Sequence, residues 1–243
     1  MDIYSGAKWL GPSPNESGNM GPVRLGVVHI MEGSLGGTDN WFSNTAAQVS
    51  AHFGVGKDGT VHQYVDTSRI AWAEASFNGQ AISVELEGYS GDYLTLAQAV
   101  ALGNLIKWVN AQHGVPFAWT WDPNGVGWIG HGQLGVAGGN HPNCPGGDIL
   151  SQLPTVLHWA SGVATPTPLP QPLPAYGSLP VIGQGSLNWM YVCRIQQIVG
   201  AKIDGVYGPQ TKWDVAVWQN NHGLAPGDGI VGAKTWEKMG VTQ

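Results

Sequence analysis

Residues 25–34, LGVVHIMEGS, set the reading of everything around them. Leu25 to Ile30 form a short apolar run that suits a buried strand, and the run carries His29 at its end. Downstream, NWFSNTAAQ reads as a helix opened by Thr38 or Asp39 as a cap. VSAHFGVG and TVHQYVD then flank Lys57-Asp58-Gly59-Thr60, and Asp-Gly between alternating apolar runs predicts a hairpin. AISVELEGY, from Ala81 to Tyr89, is a further strand. Thr95 caps the helix LAQAVALGNLIKWVNAQH, whose apolar positions recur at Leu96, Val100, Ile106 and Val109, with Gly114 as its stop. Trp128-Ile129-Gly130 makes a last short strand that delivers His131 to an edge, and Asp148 opens a helix running to about Trp159. Strands alternating with long helices predict an α/β domain over residues 1–160, a central mixed sheet flanked by helices.

Residues 161–178 break this pattern. Five prolines among small uncharged residues in SGVATPTPLPQPLPAYG favour an extended spacer and forbid a packed core. Residues 179–243 hold an internal repeat: Asp204-Gly205-Val206-Tyr207-Gly208-Pro209-Gln210-Thr211 returns as Asp228-Gly229-Ile230-Val231-Gly232-Ala233-Lys234-Thr235. Each copy reads as a turn running into a helix capped near its Thr. With VCRIQQIVGA and TKWDVAVWQNNHGL supplying apolar helical faces, the repeat predicts one small three-helix domain, since two copies are too few for a solenoid.

Composition narrows the function classes. The formal net charge is −6 with no dense Lys/Arg cluster, which argues against a nucleic-acid partner. Charged residues make up only 11% of the chain, while Gly (37) and Trp (12) are abundant. Such a surface suits stacking on sugars, and genome compositional bias would produce it equally well. The first twenty residues lack a basic start followed by an apolar run, and no segment approaches membrane-spanning length. The expectation is a chain made in the cytoplasm without a signal peptide and without membrane insertion. Of the two cysteines, Cys144 reads as a liganded thiolate and Cys193 as a buried thiol, because disulfides are rare in cytoplasmically made proteins.

The chemistry concentrates in His29 and in WIGHGQLGVAGGNHPNCPGGD, Trp128 to Asp148. His29, His131 and Cys144 form a nitrogen and sulfur set that suits zinc, and three protein ligands leave a fourth, tetrahedral position open for hydrolytic chemistry. Cys144 precedes a helix, where a thiolate is favoured. His141, three residues earlier, is a competing ligand or a participant in the chemistry. Within Ile82-Ser83-Val84-Glu85-Leu86, Glu85 lies on the strand face opposite Val84 and Leu86, sharing it with Ser83 and Glu87. Desolvation there raises a carboxyl pKa towards the range of a general base. Spacing alone does not choose between Glu85 and Glu87.

VVHIMEGS, VSAHFGVGKDGTVHQYVD, Ala71-Trp72, AISVELEG and the GH…CPGG segment, in that order across most of residues 7–160, resemble the zinc-dependent N-acetylmuramoyl-L-alanine amidases of the amidase-2 type. This is the fold of peptidoglycan-recognition proteins and phage amidase lysozymes. The resemblance implies His29, His131 and Cys144 as zinc ligands. It also implies Glu85 as the catalytic acid/base, with Glu87 structural. It gives His52 no assigned role.

Three departures stand out. The thirteen-residue step from His131 to Cys144 is longer than in relatives, extended by Gly135-Val136-Ala137-Gly138-Gly139. Pro142 occupies the place of a lysine that stabilises the oxyanion, leaving His141 as the nearest polar replacement. Ala73 replaces a histidine. Residues 179–240 resemble the three-helix peptidoglycan-binding domain, with Trp189, Trp213, Trp218 and Trp236 as candidate wall contacts or core residues.

The implied protein is a monomeric, phage endolysin-like enzyme made in the host cytoplasm. It would be released by a holin-type partner and would cut the amide between N-acetylmuramic acid and L-alanine in bacterial peptidoglycan. Two other classes fit the same residues: a non-catalytic peptidoglycan recognition protein, and a zinc peptidase acting within the stem peptide.

Overall fold

The computed structural model describes residues 1–162, 179, 181–186, 189–201 and 207–240, apart from the side chains at positions 189, 190, 193 and 197. The Pro-rich spacer beyond residue 162, the repeat's Asp204-Gly205-Val206, the side chain of Trp189 and the expected buried thiol of Cys193 lie outside the described residues. The chain divides into two compact units, Met1–Leu169 and Pro170–Gln243.

Among its described residues the first unit carries eight strands: β1 (Lys8–Trp9), β2 (Glu16–Asn19), β3 (Leu25–Ile30), β4 (Phe53–Val55), β5 (Val61–Gln63), β6 (Arg69–Ala71), β7 (Ala81–Leu86) and β8 (Gly127–Gly130). Its helices are α1 (Leu35–Phe42), α2 (Leu96–His113) and α3 (Gly147–Ala160). Six strands form a mixed sheet in the order β1-β5-β4-β7-β3-β8, and β2 pairs antiparallel with β6 in a separate ribbon. The predicted hairpin is β4–β5, closed by the Asp58-Gly59 turn with Gly59 at φ +89°. β3 runs parallel to both β7 and β8, and β8 is the edge strand, as its sequence suggested.

Side-chain alternation along β3 and β7 assigns the two faces of the sheet. Val28, Ile30, Ile82, Val84 and Leu86 join Leu102, Leu105, Ile106 and Val109 of α2 and Leu153 and Val156 of α3 in the main core. Leu25 and Val27 point the other way, into a smaller cluster with Phe77, Ala81, Ile129 and Leu134. Both long helices therefore cover one face. The opposite face is roofed by 3-10 turns at Ala75–Gln80 and His131–Gly138, where backbone and side chains converge on the strand ends.

Three local readings need correction. α1 begins at Leu35, capped by Ser34 whose hydroxyl accepts from Gly37 N–H, rather than at Thr38 or Asp39; Thr45–Ala47 is a separate 3-10 turn. On α2 the Thr95 capping box and the Gly114 stop (φ +75°) are present, but Leu96 and Val100 are 55% and 47% exposed. The buried face uses Gln98, Ala99, Leu102, Leu105, Ile106 and Val109, with the Gln98 amide donating to the carbonyls of Val55 and Glu87. In the second unit the caps near the Thr residues are glycines three positions earlier.

That second unit holds α4 (Trp189–Val199), α5 (Pro209–Asn221) and α6 (Ala233–Lys238), with a bridge between Ile182 and Val231. Glycines 208 and 232 sit at the caps of α5 and α6 without side-chain bonds. Thr211 and Thr235 are buried inside the first turns, where their hydroxyls accept from the side-chain amides of Gln196 and Gln219. The repeat thus encodes a buried Gln–Thr contact, made twice. Ile182, Val192, Ile195, Tyr207, Val215, Val231 and Trp236 fill the small core. Trp236 is fully buried, Trp213 is 62% exposed, and Trp218 stacks on His222 at 4.0 Å.

Candidate active site

The carboxyl ends of parallel strands β3, β7 and β8 lie side by side, the place where α/β sheets present functional groups. In the ladder His29 is the register partner of Glu85, so sheet geometry alone sets the two beside each other. Both sit on the face away from α2 and α3. His131 follows β8 directly and places its ring 4.2 Å from that of His29. Cys144 comes from the turn after His141, and its Sγ accepts a hydrogen bond from Ile30 N–H at 3.4 Å. Among the described residues, donor atoms of His29, His131 and Cys144 all lie within 4.8 Å of one another. The thiol of Cys144 is free.

Each imidazole is held by one nitrogen. His131 Nε2 lies 2.7 Å from the carbonyl oxygen of Gly138, inside the loop that leads to Cys144, so that loop supplies the ring's acceptor. His29 Nε2 lies 3.1 Å from Glu74 Oε1, and its Nδ1 lies 3.9 Å from Glu85 Oε1. The two carboxylates are not equivalent. Glu74 is sealed from solvent, whereas the Glu85 side chain keeps 16% exposure. One oxygen of Glu85, Oε2, is buried without a hydrogen-bond partner. His141 is exposed and stacks on His131, centroids 4.7 Å apart.

Burial dominates the electrostatics. It lowers the pKa of His29 and brings that of His131 down to about 3, helped in each case by neighbouring imidazoles. It raises Glu85 and raises Glu74 well above the usual carboxylate range. The Cys144 thiol is pushed up to about 12, first by burial and then by the Glu85 charge. Two neutral imidazoles and a thiol that holds its proton in this dry corner are the donor set that a dication would complete, because the positive charge replaces that proton.

Glu87 is occupied elsewhere. Its two oxygens accept backbone N–H groups of Leu35 at 3.2 Å and Lys57 at 2.7 Å, tying the start of α1 to the hairpin tip. His52 is likewise structural. Its Nδ1 accepts from Ser83 N–H at 3.1 Å and its Nε2 faces the Arg69 carbonyl at 3.1 Å, which joins β4, β7 and β6. Sequence reading overlooked two groups at the site. Glu74 sits in an irregular turn 45 residues from His29, and only its isolation as the one acid in AWAEASF distinguishes it. The Gly138 carbonyl is a backbone atom, and no residue type announces it.

The structure is similar to crystalline AmpD (TM-score 0.46, 21% identity, covering 64% of this chain and 96% of that one). It is also similar to the N-acetylmuramoyl-L-alanine amidase LysC of Clostridium intestinale (TM-score 0.46, 16% identity, 65% and 99%). In sequence it is 35% identical over 121 residues to N-acetylmuramoyl-L-alanine amidase A of Achromobacter lyticus, covering 44% of this chain and 68% of that protein. Residues 188–239 match the profile of a peptidoglycan-binding domain. Residues 19–147, more than half of the chain and spanning His29, Glu74, Glu85, His131 and Cys144, match the N-acetylmuramoyl-L-alanine amidase profile, and the chain belongs to that family.

Proposed function

We propose that this peptidoglycan amidase is zinc-dependent and cuts the amide between the lactyl group of N-acetylmuramic acid and L-alanine of the stem peptide. The observation that carries the reading is the convergence of His29, His131 and Cys144 beside a carboxylate, Glu85, that alone of the two buried acids reaches solvent. The three donors would hold the metal, whose charge polarises the scissile carbonyl and acidifies water. Glu85, whose side chain is partly exposed, would take a proton from the attacking water and deliver it to the leaving amine; burial tunes its basicity towards that task. His141, exposed at the mouth and stacked on His131, would donate a hydrogen bond to the developing oxyanion, in the role left open by Pro142.

The enzyme would work as a monomer built from a catalytic domain (1–160), a Pro-rich linker (161–178) and a wall-binding domain (179–243). Tethering the last to the first raises the effective concentration of enzyme at an insoluble substrate. Among the described residues no helix is long and apolar enough to cross a membrane. In the phage-lysin form of this proposal, a holin-type partner gives the enzyme access from the cytoplasm to the wall.

The test is mass spectrometry of soluble products from purified sacculi, with and without a zinc chelator. Free stem peptides beginning with L-alanine, lost on chelation and restored by zinc, are the expected result. Shortened stem peptides would make the protein a peptidase. Tight wall binding without any product would make it a recognition protein.

A further inference from the structure

We propose that Glu74 is a positioning residue that fixes the tautomer of His29, so that Nδ1 and not Nε2 presents its lone pair to the cluster made with His131 and Cys144. The role at the metal rests on the zinc reading above; the tautomer itself does not. A neutral imidazole has one N–H and one lone pair, and a carboxylate only accepts. With Glu74 ionised and its Oε1 at 3.1 Å, the hydrogen resides on Nε2. Glu85, at 3.9 Å from Nδ1, is beyond hydrogen-bonding distance and does not draw the hydrogen to the other side.

The turn that delivers Glu74 is built for it. Asn78 Oδ1 accepts from both Ala73 N–H (3.1 Å) and Glu74 N–H (2.6 Å), clamping the backbone that leads into Glu74. Ala75 adopts φ +48°, a left-handed conformation that costs an alanine energy and turns the chain under the sheet. Phe77 anchors the turn in the cluster with Leu25 and Val27. A carboxylate with no exposure is a poor stabilising device, since an apolar residue of similar size would pack there without desolvation cost. Its sealed position also keeps it from touching substrate. What remains is its action through His29: a ring held by the far nitrogen presents the near one in a fixed direction.

The experiment uses the full chain. Long-range nitrogen–proton correlation spectra of the metal-free protein at neutral pH report which nitrogen of His29 carries the hydrogen, and competition with a chromophoric chelator reports zinc affinity. The parent should show hydrogen on Nε2. Glu74→Gln, whose amide carbonyl still accepts, should keep that tautomer. Glu74→Met should lose the preference and bind zinc about 10- to 100-fold more weakly, with a melting temperature at or above that of the parent. A parent with hydrogen on Nδ1, or a Glu74→Met protein with the parent's tautomer and zinc affinity, overturns the proposal. Should Glu74→Met fail to fold, the parent and Glu74→Gln spectra still decide it. A parent with hydrogen on Nε2 that binds no zinc supports the tautomer assignment and refutes the metal reading alone.

Discussion

Gly26→Ala should damage the protein in a way that reaches the site. Gly26 is the register partner of Trp128, and a Cβ there would lie 2.5, 2.6 and 2.7 Å from three atoms of the indole's six-membered ring. Ordinary contact begins near 3.4 Å, so the ring must retreat by roughly an ångström. It has nowhere to go. Trp128 is 1% exposed, and its backbone is bonded to Ala118 and Thr120 on the flanking loop. Overpacking of this kind costs about 1–3 kcal/mol, and a rigid ring in a closed core belongs at the upper end. At about 2–4 °C per kcal/mol for a unit of this size, the melting temperature should fall by about 5–10 °C. Because His131 follows three residues later, a displaced β8 should also shift its ring from that of His29 and weaken zinc binding. Calorimetry and chelator competition measure the two effects. A variant that melts within about 1 °C of the parent would refute the claim that the ring is fixed against the Gly26 backbone.

Glu85→Gln should retain zinc and wall binding while turnover of sacculi falls about 10²- to 10⁴-fold, the size of a lost general base; retained turnover would move the base elsewhere. Glu87→Gln, by contrast, should leave turnover per folded molecule intact and lower stability by about 1–3 kcal/mol in urea titration, since its oxygens serve backbone N–H groups. His52 is held down to about 4 by burial, against about 6.5 in the unfolded chain. Below pH 6.5 the unfolded chain takes up a proton that the folded one refuses, so the contribution of His52 is present above pH 6.5 and lost as pH falls towards 4. The stability gap between parent and His52→Asn should therefore narrow by about 2 kcal/mol from pH 7 to pH 5; a constant gap would contradict a neutral buried imidazole. Gln219 bonds Thr235, the Ile230 carbonyl and Gly229 N–H, and Gln219→Ala should melt the second unit and abolish retention on sacculi, with hydrolysis of soluble muropeptide fragments unchanged.

The strands and the hairpin were legible because their signals are local. Asp58-Gly59 specifies a turn by itself, and the alternation of Ile82, Val84 and Leu86 with Ser83 and Glu85 assigns faces without reference to the rest of the chain. Helix boundaries were less so. Ser34, Thr38 and Asp39 are all competent caps, and the choice fell to Ser34 because Glu87, just beyond the end of β7, binds Leu35 N–H. The Leu96 and Val100 positions misled because an exposed leucine at a helix start is chemically silent about its surroundings. At the site, histidines, cysteine and strand acid carry their chemistry in their identity. Glu74 and the Gly138 carbonyl do not: their role exists only once the chain has brought them against a ring, and nothing within several residues of either points there.

The pairing of His29 with Glu85 across a parallel ladder has a consequence for protein engineering. Neighbouring strands keep a repeat of about 4.8 Å whatever loops join them. The separation of these two side chains is accordingly a lattice constant of the scaffold, indifferent to insertions between β3 and β7 or beyond Leu86. His131 and Cys144 lack this protection, being carried on a glycine-rich connection that no ladder pairing fixes in length. Loop grafting to change specificity can therefore be confined to the segment after β8, where each new length must be re-solved for two donors, while the acid and the first histidine travel unchanged from one design to the next.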